Sequence, residues 1–301
     1  MLLHVLGSAA GGGLPQWNCG CRNCEDARRH PDSGPVRSRT QESVAVRADG
    51  GGWVLLNASP DIREQLARFG PLWPRAPRDV PMAAVVLTSA ELDHTLGLLS
   101  LREGRGLVVL ATERVRRTFT DGNVLYGALE RQPEQTTWVR LQLGQERTIA
   151  GLGITAVPAG GKAPAYRDRS AARDPEDAIA LVVRDPAAGR VLAYSPGVGT
   201  IDEALLGALA GADCIVFDGT FWSSDELAGA HAGARRAEEL AHVPIVGPGG
   251  SLARLAALDR PRRIFIHMNN TNPIVREDSP ERAAVEAAGW EVAFDGMEVR
   301  P

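Results

Sequence analysis

The sequence predicts an α/β protein: a four-layer αββα sandwich of two mixed sheets packed face to face, with helices outside. Three features lead there. Short apolar segments of strand length recur along the whole chain, with amphipathic stretches of helical period between them. Their order begins with strands, then alternates, and closes with strand–helix–strand. The segment Ser43–Asn57 reads as a hairpin through Asp49-Gly50-Gly51-Gly52, which weighs against the runner-up, a doubly wound parallel sheet.

The predicted strands, in order, are Leu2–Leu6, Ser43–Arg47, Trp53–Asn57, Ala84–Thr88, Leu107–Ala111, Trp138–Leu143 and Ile154–Val157. Ala178–Val183, Val191–Tyr194, Cys214–Phe217, Val243–Val246, Arg263–His267 and Val292–Phe294 follow. Helices are expected over Pro60–Phe69, His94–Leu101, Glu113–Thr120, Ile201–Ala210, Ser251–Leu258 and Pro280–Ala288. Ser59 and Ser279 stand as caps before Pro60 and Pro280, each proline at a first helical position. The aperiodic stretch Lys162–Asp177 reads as a long surface loop, either a lid or a plain excursion. No repeat or low-complexity linker divides the sequence, so residues 1–301 are expected to form a single domain.

Hydrophobic content of 44% and charged content of 23% are ordinary for a globular protein. A net charge of −4 gives no support to nucleic-acid binding, and the arginine doublets are scattered. No apolar run is long enough to span a membrane, and Met1–Leu6 is too short for a signal core, so the expected location is cytoplasmic. Three of the four cysteines form Cys19-x-Cys21-x-x-Cys24. In a reducing compartment three thiolates in one turn-rich loop, spanning about residues 15–35, suit structural zinc. Cys214 reads as a small core residue.

The chemistry gathers where strands stop. After Ala84–Thr88 the chain delivers Asp93-His94 at a helix start, followed by Thr95-Leu96-Gly97. A second buried strand ends in His267, followed by the polar segment Met268-Asn269-Asn270-Thr271-Asn272-Pro273. Ligand-type residues on two strand ends at one rim make a rigid site. Asp93, His94 and His267, two imidazoles and one carboxylate, make a plausible site there. Glu91 is a candidate fourth ligand or general base, or else a surface loop glutamate. Asp218, after its own strand, either supports this site, meets substrate, or makes a hydrogen bond at the core edge. His242 is a candidate acid/base or substrate contact, with a capping role as the bland alternative. Gly247-Pro248-Gly249-Gly250-Ser251 could present N–H groups to a carboxylate, but like Gly11-Gly12-Gly13 it lacks the lysine of a nucleotide loop. His4, His30 and His231 have no supporting context, although His30 and water remain open as fourth zinc ligands.

The chain resembles the pyrroloquinoline quinone (PQQ) biosynthesis protein B family, a branch of the metallo-β-lactamase superfamily. The resemblance rests on Val5-Leu6-Gly7-Ser8-Ala9-Ala10-Gly11-Gly12-Gly13, Pro15-Gln16-Trp17-Asn18-Cys19 and Asn57-Ala58-Ser59-Pro60-Asp61-Ile62-Arg63. It continues through Leu92-Asp93-His94-Thr95, Asp218-Gly219-Thr220-Phe221-Trp222, Gly247-Pro248-Gly249-Gly250 and His267–Pro273. Dinuclear members of the superfamily carry His-x-His-x-Asp-His, and here Ser89 and Glu91 stand at the first two histidines. The third histidine of that first metal site falls at Ala159-Gly160-Gly161, and the bridging aspartate at Pro196. The resemblance therefore implies one catalytic metal rather than two, held by Asp93, His94 and His267, a set that suits non-haem Fe(II) and also mononuclear zinc; a two-metal mechanism would need both ions. It implies oxygen-using hydroxylation of a tyrosine-derived, amino-acid-like precursor of PQQ. A carrier of the quinone is the alternative, and a mononuclear zinc hydrolase ranks third. In a related phosphodiesterase branch a histidine three residues after the late metal histidine closes the thiolate site; that position is Asn270, a weak zinc ligand. The oligomeric state stays open, with a homodimer as the candidate.

Overall fold

The computed structural model describes residues 1–31, 33–167, 172–229, 234–258 and 260–301. Strands β1 (Leu2–Gly7), β2 (Ser43–Arg47), β3 (Trp53–Leu56), β4 (Met82–Val86), β5 (Leu107–Ala111) and β6 (Thr136–Arg140) come first. Then follow β7 (Glu146–Ile149), β8 (Leu152–Pro158), β9 (Ile179–Asp185) and β10 (Arg190–Ser195). β11 (Cys214–Asp218), β12 (Arg262–Ile266), β13 (Trp290–Val292) and β14 (Glu298–Val299) complete the set. They form two seven-stranded mixed sheets, β14-β1-β2-β3-β4-β5-β6 and β13-β12-β11-β10-β9-β8-β7. In the first sheet β3 to β6 run parallel, and in the second β10 to β13 do.

Strand alternation builds the layers, since successive side chains face opposite sides. Val44, Val46, Val54, Leu56 and Val86 of one sheet meet Leu181, Val183, Leu192, Val216 and Ile264 of the other in a central core. Their sequence neighbours point outward. Ala45, Leu55 and Val85 pack with Ile62, Leu98 and Phe119 on one outer face. Ile215, Phe217 and Phe265 pack with Leu205, Leu209, Val285 and Trp290 on the other. This is the predicted αββα sandwich, and β2 and β3 pair antiparallel as the predicted hairpin.

The helices are α1 (Arg22–Arg29), α2 (Ile62–Arg68), α3 (Leu92–Thr95), α4 (Gly97–Ser100), α5 (Glu113–Thr120), α6 (Glu203–Ala210), α7 (Ser251–Arg254) and α8 (Pro280–Ala287). The Ser279 hydroxyl caps α8 by accepting from Arg282 N at 3.0 Å, with Pro280 in the first turn. The expected Ser59 cap is corrected: α2 starts at Ile62, and Ser59 instead bonds Asp61 N and Gln65. The helix expected over His94–Leu101 is two short turns. Gly97 lies against the Asn57–Ser59 loop, where an added Cβ would meet Ser59 O at 2.3 Å.

Val243–Val246, read as a strand, is irregular chain running beside Phe221-Trp222. Its apolar character reflects burial against the outer core rather than sheet pairing. The helix expected over Ser251–Leu258 is regular only in its first turn. α1, β7 and β14 carry no apolar period that would announce them. Of the Lys162–Asp177 loop, residues 168–171 lie outside the described residues, as does His231. No helix among the described residues is long and apolar enough to cross a membrane.

Candidate metal centre

β4 belongs to one sheet and β12 to the other, and their C-terminal ends meet at one rim of the sandwich. β4 leads through Thr88 and Ser89 into α3, which carries Asp93 and His94. Ala58 N donates to His94 O at 2.8 Å, so the loop after β3 pins that helix. His267 lies one residue beyond β12 with φ 62°. A non-glycine residue in the left-handed region carries strain that recurs at functional sites.

The ligand atoms of Asp93, His94 and His267 lie within 4.8 Å of one another. Asp93 Oδ2 and His267 Nε2 are 3.1 Å apart. Asp218 is a buried carboxylate that accepts from Val198 N, Thr220 N and the Thr220 hydroxyl at 2.6–2.9 Å. Because Thr220 spends its one proton on Asp218, it accepts from His267 Nδ1 at 2.8 Å. That leaves His267 Nε2 directed at Asp93. Ser89 Oγ holds His94 Nδ1 at 2.7 Å, and His94 Nε2 is buried with no hydrogen-bond partner. An orphaned imidazole nitrogen beside a carboxylate and a second imidazole fits a divalent cation, with outer hydroxyls orienting both rings.

The electrostatics agree. Burial lowers the His94 pKa to about 4, keeping the ring neutral as a metal ligand must be. Burial would lower His267 as well, but the Asp93 hydrogen bond and charge hold it at about 9, so a metal binding at this ring would have to displace its proton. Burial would raise Asp93, and the two imidazoles outweigh it and keep its carboxyl far below the usual range.

A cleft of about 270 Å³ opens over these residues, lined also by Glu91, Lys162, Arg235 and His242. His242 Nδ1 lies 2.7 Å from Asp218 Oδ2, and its ring stacks on His267 at 5.5 Å between centroids. Burial would raise Asp218; the His242 imidazole overrides it and keeps the carboxylate ionised. Asp218, His242 and His267 thus make a second group of ligand-type atoms sharing one histidine. Glu91 stands in the same cleft but outside both groups, its pKa raised by burial and then by Asp93.

The cysteines gather separately. Cys19, Cys21 and Cys24 place their sulfurs within 4.8 Å of one another, and His30 is not among them. The Asn270 amide covers the triangle: Nδ2 is 3.1, 3.6 and 3.3 Å from the three sulfurs. Rotating that amide by half a turn puts its oxygen in the same place, so the pocket fits a metal held by three thiolates and Asn270. Burial pushes the Cys24 thiol up to about 11, a cost that a bound cation would offset. Asn23 ties α1 to this loop through Asn270 O and Asn272 O. Cys214 lies in the central core.

The comparisons with known proteins cover the whole chain. Coenzyme PQQ synthesis protein B from Pseudomonas fluorescens is 44% identical over 303 residues, 99% of each chain. The protein of that name from Nitrosococcus oceani is 46% identical over 310 residues, again 99% of each. This chain belongs to the coenzyme PQQ synthesis protein B family. A model of the beta-lactamase superfamily domain matches residues 52–268, a span that takes in Asp93, His94 and His267 but ends before Asn270 and excludes Cys19, Cys21 and Cys24. The Zn²⁺-bound PqqB from Methylobacterium extorquens is 39% identical, with both chains covered in full and a TM-score of 0.92. A diphosphatase of the PhnP family, 22% identical with a TM-score of 0.66 over 99% of this chain and 96% of its own, shares the fold.

Sequence reasoning missed the floor of this family member's site. Glu42, Asn57, Thr88 and Tyr194 form a buried polar network beneath His94. Burial raises the Glu42 pKa to about 8. The Asn57–Arg63 block was visible as part of the family pattern, but nothing in periodicity marks Glu42 or Tyr194.

Proposed function

We propose that this protein acts in PQQ biosynthesis as an iron-dependent, oxygen-using hydroxylase of a tyrosine-derived precursor, in the cytoplasm, one oxygen atom entering the substrate and the other leaving as water with two electrons and two protons from an external two-electron reductant. The observation that carries the reading is the convergence of two imidazoles and a single carboxylate at the cleft floor. Iron(II) held by such a set keeps coordination positions free for oxygen and substrate. The chain's own residues supply the rest. Thr220 and Asp218 fix the His267 ring, and Ser89 fixes His94. Ionised Asp218 accepts a hydrogen bond from His242 Nδ1–H, leaving Nε2 of that ring to accept or return a proton at the cleft wall. Glu91, protonated more readily than a free glutamate, is a second proton donor in the same cleft. Lys162 and Arg235 line the cleft, where cationic side chains suit the carboxylates of an amino-acid-derived substrate. Asn270 and the three thiolates hold structural zinc.

A second reading, a mononuclear zinc hydrolase, is favoured by the zinc-bound state of the Methylobacterium extorquens relative. Anaerobic iron loading followed by oxygen uptake on tyrosine-type substrates with an external reductant, corrected for uptake without substrate, separates the two. A hydroxylase consumes oxygen with iron and not with zinc, and Asp93→Ala abolishes both iron retention and turnover. Tight quinone binding that survives Asp93→Ala, with no substrate ever consuming oxygen, would establish the carrier alternative instead.

A further inference from the structure

The chain leaving β12 passes through His267 and Met268 to Asn269, which lines the cleft beside the metal ligands. The backbone here is tied to both neighbouring loops. Asn269 N donates to Thr220 O at 3.0 Å, and Ala10 N donates to Met268 O at 2.8 Å. The side chain is tied as well. Asn269 Nδ2 donates to the Thr271 hydroxyl at 2.6 Å, and that hydroxyl donates to Glu226 Oε1 at 2.5 Å. Glu226 Oε2 accepts from Trp222 N at 2.5 Å, and the Asn269 amide also hydrogen-bonds this carboxylate. Counting protons fixes which way the amide faces. An ionised carboxylate only accepts, and Thr271 has one proton, which Glu226 receives. Thr271 can then only accept from Asn269, so the amide turns its NH₂ group inward. Half a turn would set Oδ1 against a carboxylate and a hydroxyl with no proton to give. Oδ1 is therefore the outward atom of a cleft residue, an acceptor with no hydrogen-bond partner among the described residues.

We propose that Asn269 is a specificity-determining residue whose Oδ1 accepts a hydrogen bond from the substrate's ammonium group. This step rests on the reading of the cleft as the site of an amino-acid-derived substrate. Charge selects an ammonium over a neutral donor, because the Glu226 carboxylate backs the amide and Glu91 shares the cleft. The cationic groups belong to another wall: Lys162 Nζ donates to Glu239 O at 2.5 Å, in the segment that carries Arg235 and His242. An amino-acid-derived molecule offers one group to each, its carboxylate to the cations and its ammonium to Asn269. A fixed acceptor also rejects an analogue that lacks the donor, since the acceptor is then left unpaired.

Titration calorimetry with L-tyrosine, tyramine and 3-(4-hydroxyphenyl)propanoate tests the contact in zinc-loaded wild type and Asn269→Ala. At pH 8 Glu226, whose pKa burial raises to about 7, is ionised. Asn269→Ala is expected to weaken tyrosine and tyramine at least about tenfold and to leave the propanoate within about twofold. Equal weakening of all three ligands, or of none, overturns the ammonium contact. So does a wild type that binds the propanoate as tightly as tyrosine, or that binds none of the three. Oxygen uptake by the iron-loaded enzyme is read separately. Uptake that persists without the discrimination removes only the Asn269 contact, whereas discrimination with no uptake on any substrate removes the hydroxylase and supports the contact. Should Asn269→Ala fail to fold, crystals of the wild type with tyramine decide. A ligand nitrogen at roughly 2.7–3.2 Å from Asn269 Oδ1 supports the proposal, and a nitrogen bound elsewhere refutes it.

Discussion

Replacing Asn57 by alanine and by glycine separates what its side chain does from what its backbone costs. Asn57 Oδ1 accepts from Thr88 N at 2.9 Å, and Nδ2 donates to Glu42 Oε2 at 2.8 Å. Thr88 and Glu42 are both buried, so truncation strands a backbone N–H and a carboxylate oxygen. At about 1–3 kcal/mol for each stranded group, the side-chain loss is about 2–6 kcal/mol. Alanine keeps a Cβ at φ 61°, a strain of about 1–2 kcal/mol that asparagine already bears, so the backbone adds no further loss. Glycine avoids that strain but loses about 0.4–1 kcal/mol through the freer unfolded chain. Asn57→Ala should therefore lose about 2–6 kcal/mol, and Asn57→Gly should be the more stable of the two by roughly 0.5–1 kcal/mol. Denaturant midpoints of the metal-free proteins, at matched slope, give both differences. An alanine variant within about 1 kcal/mol of wild type would show that the network is not holding Thr88 and Glu42. A glycine variant less stable than the alanine one would refute the account of the backbone.

Two further outcomes follow from groups outside the Asp93–His94–His267 cluster. Cys21→Ala should release about one zinc per chain and lower the melting temperature, because structural zinc contributes folding energy directly; full zinc with unchanged melting refutes the site. Glu226, whose carboxylate accepts from Trp222 N and the Thr271 hydroxyl, has its pKa raised by burial to about 7. The folded protein then binds this proton more tightly than the unfolded chain. Stability from this group is present below the ordinary glutamate range and is lost as pH rises toward 7. The Tm of Glu226→Gln relative to wild type should accordingly rise between pH 5 and pH 8, and a flat difference would contradict the burial argument.

The readable parts of this chain were those where one short segment carries the whole signal. A buried strand that halts at Asp93-His94, another that halts before His267, and three cysteines in six residues each need only local pattern. β7, with the sequence Glu-Arg-Thr-Ile and mostly exposed, has no alternation to read because an edge strand with polar faces buries little. Val243–Val246 has the composition of a strand yet lies beside an irregular segment, since burial alone makes a run apolar. The Glu42–Tyr194 contact spans 152 residues and exists only because the two sheets stack. In sequence Tyr194 is one more apolar strand residue, and Glu42 is a polar residue before β2.

The region that would hold a second ion in a dinuclear relative has been put to other uses. Ser89, at the first histidine of the missing pair, holds His94 Nδ1 at 2.7 Å and so steadies a retained ligand. Glu91, at the second, stays in the cleft apart from the ligand cluster. Gly160 has φ 65°, and a Cβ there would meet Thr200 N at 2.8 Å, so that position admits no histidine without displacing backbone. Pro196 offers no carboxylate, and the Ser195 hydroxyl beside it is buried without a partner. Putting histidines at Ser89 and Glu91 would therefore restore at most two of the lost ligands, and the first would remove the hydroxyl that orients His94. The same substitutions cannot reopen the space that Thr200 closes. Around Asp93, His94 and His267 these neighbours supply none of the lost ligands, and the side left open is the cleft.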